Sequence, residues 1–403
     1  MVDLDAVVAR AWNVVERCDP DGRGLRAAAG SALYPHVWTR DVGLASLGIL
    51  AAPRGPDDVL RVRRSLEAIA RHQDELGRVP LKVDVAEDRA VSENSAGVDA
   101  GLWFVLAVAA LGRHEDVERF LDPARRALHW TRHLDVDGDL ILETPEASDW
   151  ADMMPHRHHV LFVNVLYVAA LRALTELTGE ATHAERATQV AARINRLFWL
   201  EGCIDARGTA DYLTALERDC PEWGITGRYV ARWGALPYYL PYVGFRTAGR
   251  HCDVVGNGLA VLFGVADDSR ATSILDHLDR VGANAPYPSK TIDPPLYPGD
   301  PDYRDHFTWR GLNTPHQYQN GGAWPFIGGL EAVARVRAGR SPEQVVARLV
   351  DAVDDVQHPF PEWRHGRSGA AMGERDQLWS ATGLLWAVAA QRAGHVDVPG
   401  GAP

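Results

Sequence analysis

Lysine is almost absent from this chain. Only Lys82 and Lys290 occur in 403 residues, so nearly all of the 42 basic side chains are arginine. Asp and Glu number 54, which sets the net charge at -12. That balance excludes nucleic-acid binding of the kind that rests on a basic patch. No block of like charges suggests an interaction tail. Cysteine is scarce as well. Cys18, Cys203, Cys220 and Cys252 are scattered and form no CxxC pair, so neither a zinc ribbon nor a disulfide framework is expected. Free thiols of this kind predict a cytoplasmic protein. The opening stretch MVDLDAVVARAWNVVERC has early acids and no apolar core of signal-peptide type. No segment approaches the roughly 20 apolar residues of a membrane span. Neither a membrane nor a nucleic acid is therefore an expected partner, and self-association into a homo-oligomer is left open.

What is present is a globular composition, 46% hydrophobic and 24% charged. Apolar residues recur at spacings of three and four, the signature of helices. In DDVLRVRRSLEAIARH, Val59, Val62, Leu66 and Ile69 form one stripe opposite arginines and acids. In SPEQVVARLVDAVDDV, Ser341 reads as an N-cap, Pro342 as the first helical residue and Gln344 as the partner in a capping box. Asp268 or Ser269 would cap the helix that carries Ile274, Leu275 and Leu278. Such segments predict about a dozen helices, near 4–18, 40–51, 57–73, 95–111, 115–133, 158–179, 182–200, 256–265, 268–281, 316–338, 342–355 and 377–393. Two kinds alternate. Segments 57–73, 182–200 and 342–355 are amphipathic; 95–111, 158–179 and 377–393 are apolar nearly all round and must be buried. Alternation of half-exposed and buried helices predicts an all-α (α/α)6 toroid with six inner and six outer helices. One domain over 1–403 is expected, with long loops at 202–255 and 282–315.

Five clusters place Trp or Tyr beside acids, amides or arginine: YPHVWTRD (34–41), ENSAGVDAGLW (93–103), SDWADMM (148–154), HQYQNGGAWP (316–325) and PFPEWRHGRSG (359–369). Each lies at or beside a predicted helix start. Indoles beside carboxylates and amides suit a carbohydrate, whose CH faces stack on rings and whose hydroxyls need donors and acceptors. For any single cluster, a capped helix with a packed tryptophan explains as much; the set of five favours a sugar site. Glycoside hydrolysis needs two carboxyl groups across the sugar ring. Asp149, Asp152 and Glu362 are the candidates. Glu374 reads better as a helix N-terminal charge. His156, His158 and His159 invite a metal reading, but no HExxH pattern accompanies them and no metal is expected.

The chain resembles the alkaline/neutral invertases and, more broadly, the (α/α)6-barrel glycosidases that include trehalases and amylo-α-1,6-glucosidases. YPHVWTRDVGLASLGIL, GVDAGLWFVLAVAAL, CDVVGNGLAVLFGVAD, QNGGAWP and FPEWRHGRSG followed by QLWSATG carry the resemblance, in order, from about residue 30 to 393. It implies Glu362 as general base and Asp41 as a sugar-hydroxyl ligand. It puts the proton donor in SDWADMM. There the invertases carry Asp-Arg-Arg-Met, whereas this chain is more like the Asp-Trp-Asn-Asp-Gly-Met run of related disaccharide phosphorylases. That likeness favours Asp152 as the acid and Asp149 second. Trp38, Arg40, Asp99, Trp103, Trp150, Gln319, Asn320, Trp324 and Trp363 are the further candidate substrate contacts.

The implied reaction is inverting hydrolysis of a small α-glucoside without a cofactor, with the two carboxyls roughly 6.5–9.5 Å apart. The apolar surroundings of Trp150 and the methionines would keep the acid protonated. Two other readings fit the same toroid. A sugar epimerase or isomerase would use His156, His158 or His316. A phosphorylase or a non-catalytic sugar-binding toroid would not release sugar by water alone.

Overall fold

The computed structural model describes residues 3–91, 97–200, 214, 218 and 223–402. Its helices are α1 (Leu4–Cys18), α2 (Thr39–Ala51), α3 (Pro56–Arg71), α4 (Ala100–Gly112), α5 (Glu118–Thr131), α6 (Leu161–Thr178), α7 (Ala181–Leu197), α8 (Trp223–Val230), α9 (Val254–Leu262), α10 (Asp268–Val281), α11 (Pro325–Arg337), α12 (Glu343–Val353) and α13 (Leu378–Ala393). Helices α2, α4, α6, α9, α11 and α13 pack each on the next, and α13 returns to α2. They close an inner ring of six. Helices α1, α3, α5, α7, α10 and α12 lie outside it, each against one or two members of the ring.

Side-chain chemistry sorts the two layers. Twelve of the thirteen residues of α4, AGLWFVLAVAALG, are buried, so this helix has no solvent face. In α3, Val62, Leu66 and Ile69 are wholly buried and most charged residues face out; Asp58 is buried and paired with Arg54 and Arg61. Helix α6 is long and apolar enough over Leu161–Thr178 to cross a membrane, yet its surface is covered by α4, α7 and α9. Glycines let the ring close tightly. A side chain at Gly329 of α11 would strike the backbone of Gly383 in α13, and one at Gly48 of α2 would strike the backbone of Thr382. Helix α13 is thus held between two backbones, where only glycine fits.

Short strands precede the inner helices. They are β1 (Val37–Trp38), β2 (Lys82–Asp84), β3 (Arg89–Val91), β4 (Glu143–Thr144), β5 (His158–Val160), β6 (Tyr242–Gly244), β7 (Thr247–Ala248), β8 (Cys252–Asp253), β9 (Ile292–Asp293), β10 (Trp363–Arg364) and β11 (Ala371–Met372). All pairs are antiparallel. Strands β1, β5 and β8 run straight into α2, α6 and α9, so they gather at the N-terminal mouth of the ring. A buried asparagine repeats the same device twice. Asn164 accepts from Leu142 N at 2.8 Å and donates to Leu142 O and Val160 O. Asn257 accepts from Tyr239 N at 2.8 Å and donates to Tyr239 O and Asp253 O. Each fastens a neighbouring segment to the turn that starts an inner helix, with its amide fully paired.

Several local expectations are corrected. Helix α11 starts at Pro325, not near 316, because His316, Tyr318 and Gly321 hold positive φ. Helix α4 starts at Ala100, with 97–99 outside the helix. Helix α8 lies inside the stretch expected to be irregular. The cap of α10 is Asp267, whose side chain accepts from Arg270 N. Pro342 is the cap of α12; Ser341 Oγ accepts from Glu343 N, and no side-chain bond from Gln344 completes a capping box. His158 and His159 lie on β5, so they point to opposite faces, one exposed and one buried.

Candidate active site

The two favoured carboxyl groups sit on loops at the mouth and are held by different partners. Asp152 follows Trp150 in the loop before α6 and is half-buried. Gln319 Nε2 donates to Asp152 Oδ1 at 3.0 Å and to Trp150 O at 2.7 Å, while Gln319 Oε1 accepts from Met153 N at 2.7 Å. Glu362 immediately precedes β10 and is buried. Its Oε1 accepts from the Tyr34 hydroxyl at 2.8 Å and its Oε2 from Glu374 N at 3.0 Å. The backbone adds a further tie, Glu362 N to Glu374 O at 2.7 Å.

One run of backbone contacts joins these two anchorages. Gln319 belongs to the loop that ends at Trp324. Ala323 and Arg364 exchange both backbone hydrogen bonds, at 2.8 and 2.6 Å. Arg364 is buried, and its guanidinium donates to Ala352 O, Gly369 O and Asp355. Gly366 lies so close to Gly321 O that no Cβ would fit. The loop that clamps Asp152 is therefore stitched to the hairpin that carries Glu362.

Burial pushes the Asp152 carboxyl above its usual range, while Arg40 and the Gln319 donor act against that. Burial also raises Glu362; the Glu374 amide and Tyr34 hydroxyl lower it, and Asp152 raises it. Both charges act on Tyr318, whose phenol is buried and held protonated. Asp41, in the first turn of α2, is pushed up to about 7 by burial, against the pull of Arg40. Asp149 is also pushed to about 7 by burial and by Asp99. It is 2% exposed, and its Oδ1 accepts from Ala151 N at 2.7 Å.

The other sequence candidates form the walls. Arg40 and Asp99 are buried and paired in a fork, Nε to Oδ2 and Nη2 to Oδ1, both at 2.7 Å. Trp103 Nε1 donates to Asp99 at 3.2 Å. Asn320 donates to Leu296 O and Asn313 O and accepts from Leu296 N. Trp150 meets Trp324 edge-on at 5.8 Å, and Trp324 Nε1 donates to Tyr318 O. Tyr318 also meets Trp363 edge-on at 5.9 Å. Trp103, Trp150, Trp324 and Trp363 are all buried. Trp38 is half-buried beneath Lys82, whose Nζ lies 4.7 Å from its ring centroid.

Three residues at the site were not singled out from the sequence: Tyr34, Tyr318 and Trp379. Tyr34 is 328 positions from Glu362, and no local signal joins them. The indole nitrogens of Trp38 and Trp379 are buried without a hydrogen-bond partner among the described residues. The histidines singled out from the sequence each take a different partner. His156 stacks on His251 with Nε2 atoms 2.9 Å apart, His159 contacts Val243 O and Glu143, and His316 contacts the Tyr297 hydroxyl. Ligand-type atoms of Asp137, Glu143 and His159 come within 4.8 Å of one another, a set that lets His159 and Glu143 form an ion pair.

No protein-family model matches the chain. In sequence it is 23% identical to a probable alkaline/neutral invertase D of Arabidopsis thaliana, over 94% of this chain and 81% of that protein. It is 24% identical to the probable invertase F of the same plant, over 72% of this chain and 63% of that one. In structure it matches a bacterial glucoamylase complexed with acarbose at TM-score 0.66 and 14% identity, covering 98% of this chain and 56% of that one. It matches a GH63 mannosylglycerate hydrolase from Thermus thermophilus in complex with glucose at TM-score 0.63 and 15% identity, covering 94% and 99%. The chain thus has the (α/α)6 toroid fold of these solved glycosidases and is similar in sequence to the alkaline/neutral invertases.

Proposed function

We propose that the chain is an inverting glycoside hydrolase acting on a small α-glucoside, either a sucrose-like disaccharide or a glucosylated small molecule. Asp152 is the proton donor and Glu362 the general base. The observation that carries this reading is the shared mounting of two carboxyls of raised pKa, one clamped by Gln319 and the other by Tyr34, on loops stitched together at Ala323 and Arg364. Asp152 is preferred to Asp149 because it is only partly buried, whereas Asp149 is 2% exposed and its Oδ1 is taken up by Ala151 N.

In this mechanism Asp152 protonates the glycosidic oxygen as the bond to the anomeric carbon breaks. Glu362 takes a proton from the water that attacks the opposite face. The Tyr34 hydroxyl and the Glu374 amide fix the base, and the Arg40–Asp99 pair holds positive charge near the acid without lying in the solvent. Asp41 at the N-terminus of α2 is placed to bind a sugar hydroxyl, and Trp38 and Trp379 have indole donors to offer. We read the toroid as one catalytic domain. The isomerase reading needs a group of converging histidines, and His156, His158 and His316 stand apart.

The decisive experiment follows the anomeric proton by NMR during hydrolysis of sucrose, trehalose, isomaltose and glucosylglycerol, with Asp152→Asn and Glu362→Gln alongside. Release of β-glucose by the wild type, with turnover several orders of magnitude lower in both variants and the fold unchanged by circular dichroism, is expected. Initial release of α-glucose from sucrose or glucosylglycerol, whose leaving groups are not glucose, or near-normal turnover in either variant, rejects the assignment; with trehalose and isomaltose the leaving glucose itself supplies α anomer, so these two report turnover only. A requirement for inorganic phosphate would make the enzyme a phosphorylase instead.

A further inference from the structure

A cavity of about 540 Å³ opens beside the catalytic loops, between the segments that lead into α9 and α11. Its described lining comes from 229–251 and 294–302, and none of it from the Tyr34–Asp41 segment or the Glu362 hairpin. Its size falls within the roughly 300–1,000 Å³ of small-molecule pockets. Between it and the Asp152 loop lies the Leu296 wall. Asn320 clamps Leu296 through its backbone N at 2.7 Å and its O at 2.9 Å. Behind that wall, where Leu296 and Asp302 meet Met153 and Asn313, only a gap of about 10 Å³ remains. That is room for about one water molecule. The described lining of the cavity includes neither Asp152 nor Glu362.

Its chemistry is that of a sugar site. Tyr229 and Trp233 form an edge-to-face pair at 5.3 Å, and both rings reach solvent. The Arg250 guanidinium stands 5.8 Å from the Trp233 ring and has no carboxylate partner among the described residues. On the floor is His251, which burial holds neutral by pushing it down to about 4. A neutral imidazole offers one donor or acceptor without adding charge. Asp302, which accepts from the Tyr242 hydroxyl at 2.5 Å, supplies acceptor oxygen. An aromatic wall with a few convergent donors and acceptors matches a sugar ring, with one CH face and a rim of hydroxyls.

We propose that this cavity is a second sugar-binding pocket, which holds one neutral sugar unit and works apart from the catalytic carboxyls. It does not depend on the hydrolase reading, because binding is measured without turnover.

The test uses the full chain with D-glucose, D-fructose and maltose as probes, by saturation-transfer NMR and isothermal titration calorimetry. Wild type, Trp233→Ala and Tyr229→Ala are compared; Tyr229 is 48% exposed, so its loss does not open the core. At least one probe is expected to bind the wild type, and both variants should weaken that binding at least tenfold. Hydrolysis of α-glucosyl fluoride should stay within twofold of wild type. No binding by any probe, or binding that neither variant changes, overturns the proposal. A parallel loss of hydrolysis and binding also overturns it, since the cavity would then be part of the catalytic site. If the wild type hydrolyses nothing while Trp233→Ala still abolishes binding, the pocket stands and the hydrolase reading falls.

Discussion

The carboxamide of Gln319 donates to Asp152 Oδ1 at 3.0 Å and accepts from the next residue's amide, Met153 N, at 2.7 Å. One side chain thus fixes both the carboxyl and the backbone that carries it. Its position, 167 residues away in sequence, gives Asp152 a partner from a different helix pair. Gln319 was expected to touch substrate. Its side-chain polar atoms all bond to the Asp152 loop, so we propose that it also positions the acid.

Removing that clamp should change the pH profile in a defined direction. The Gln319 donor favours the Asp152 carboxylate, and burial already raises this group. In Gln319→Ala the protonated form gains, so the alkaline limb of kcat against pH should move up. The lost bond to a charged group is worth roughly 1.5–3 kcal/mol, so kcat should fall about 10- to 100-fold. A downward shift of the limb would show that Gln319 does not hold the carboxylate.

Tyr34 should act on the opposite limb. Its hydroxyl donates to Glu362 Oε1 at 2.8 Å and lowers that carboxyl's pKa. The base works ionised. In Tyr34→Phe it should protonate at higher pH, so the acid limb moves up, and kcat falls by about tenfold. A profile identical to wild type would remove Tyr34 from the site.

How far these roles could be read from the chain depends on the distance over which they are made. The inner helices were legible because α4 and α6 carry no polar face, and their periodicity is local. The start of α11 was not. Apolar and aromatic residues continue back to Tyr318, but the backbone from His316 to Gly321 leaves the helical region, and Pro325 alone marks the first turn. The carboxyl candidates stood out through their aromatic neighbours, whereas Tyr34 and Gln319 reach them across 328 and 167 residues. Asp99 and Arg40 were visible as polar residues at helix starts. That they bond to each other depends on α2 and α4 being neighbours in the ring, which only the fold reveals.

Asp149 can be separated from Asp152 by a substitution that preserves shape. Its folded pKa is about 7, against an ordinary value of 3.8. Between those values the folded state holds the proton more tightly than the unfolded state. Stability from this group is therefore full below about pH 4 and lost as the pH rises through about 7. In Asp149→Asn, Oδ1 can still accept from Ala151 N, and the titration disappears. The stability difference between pH 5 and pH 8, from urea unfolding, should shrink by a few kcal/mol, each pKa unit being worth about 1.4 kcal/mol. It should not vanish, because Asp41 is also raised to about 7. Activity should stay within about tenfold of wild type. A loss as large as that of Asp152→Asn would transfer the proton donor to Asp149.

Gly373 lies where backbone strain and the base meet. It has φ +71, and a Cβ there would strike Glu362 Oε2 and lie 2.7 Å from Glu362 Cβ and 3.0 Å from the Trp363 ring. Alanine should therefore cost about 1–2 kcal/mol for the left-handed backbone and also push the carboxylate off its Glu374 amide. Gly138 supplies the control. It has φ +80 with nothing within 4 Å of its Cβ position, so alanine there meets the backbone cost alone. Both variants should lose a similar first increment of stability in urea unfolding, and Gly373→Ala should lose more. Only Gly373→Ala should lose turnover, by about 100-fold, equivalent to about 2.7 kcal/mol in the barrier. Equal activity in the two variants would show that Glu362 is not held against Gly373 during the reaction, and the assignment of the base would have to move to another carboxylate.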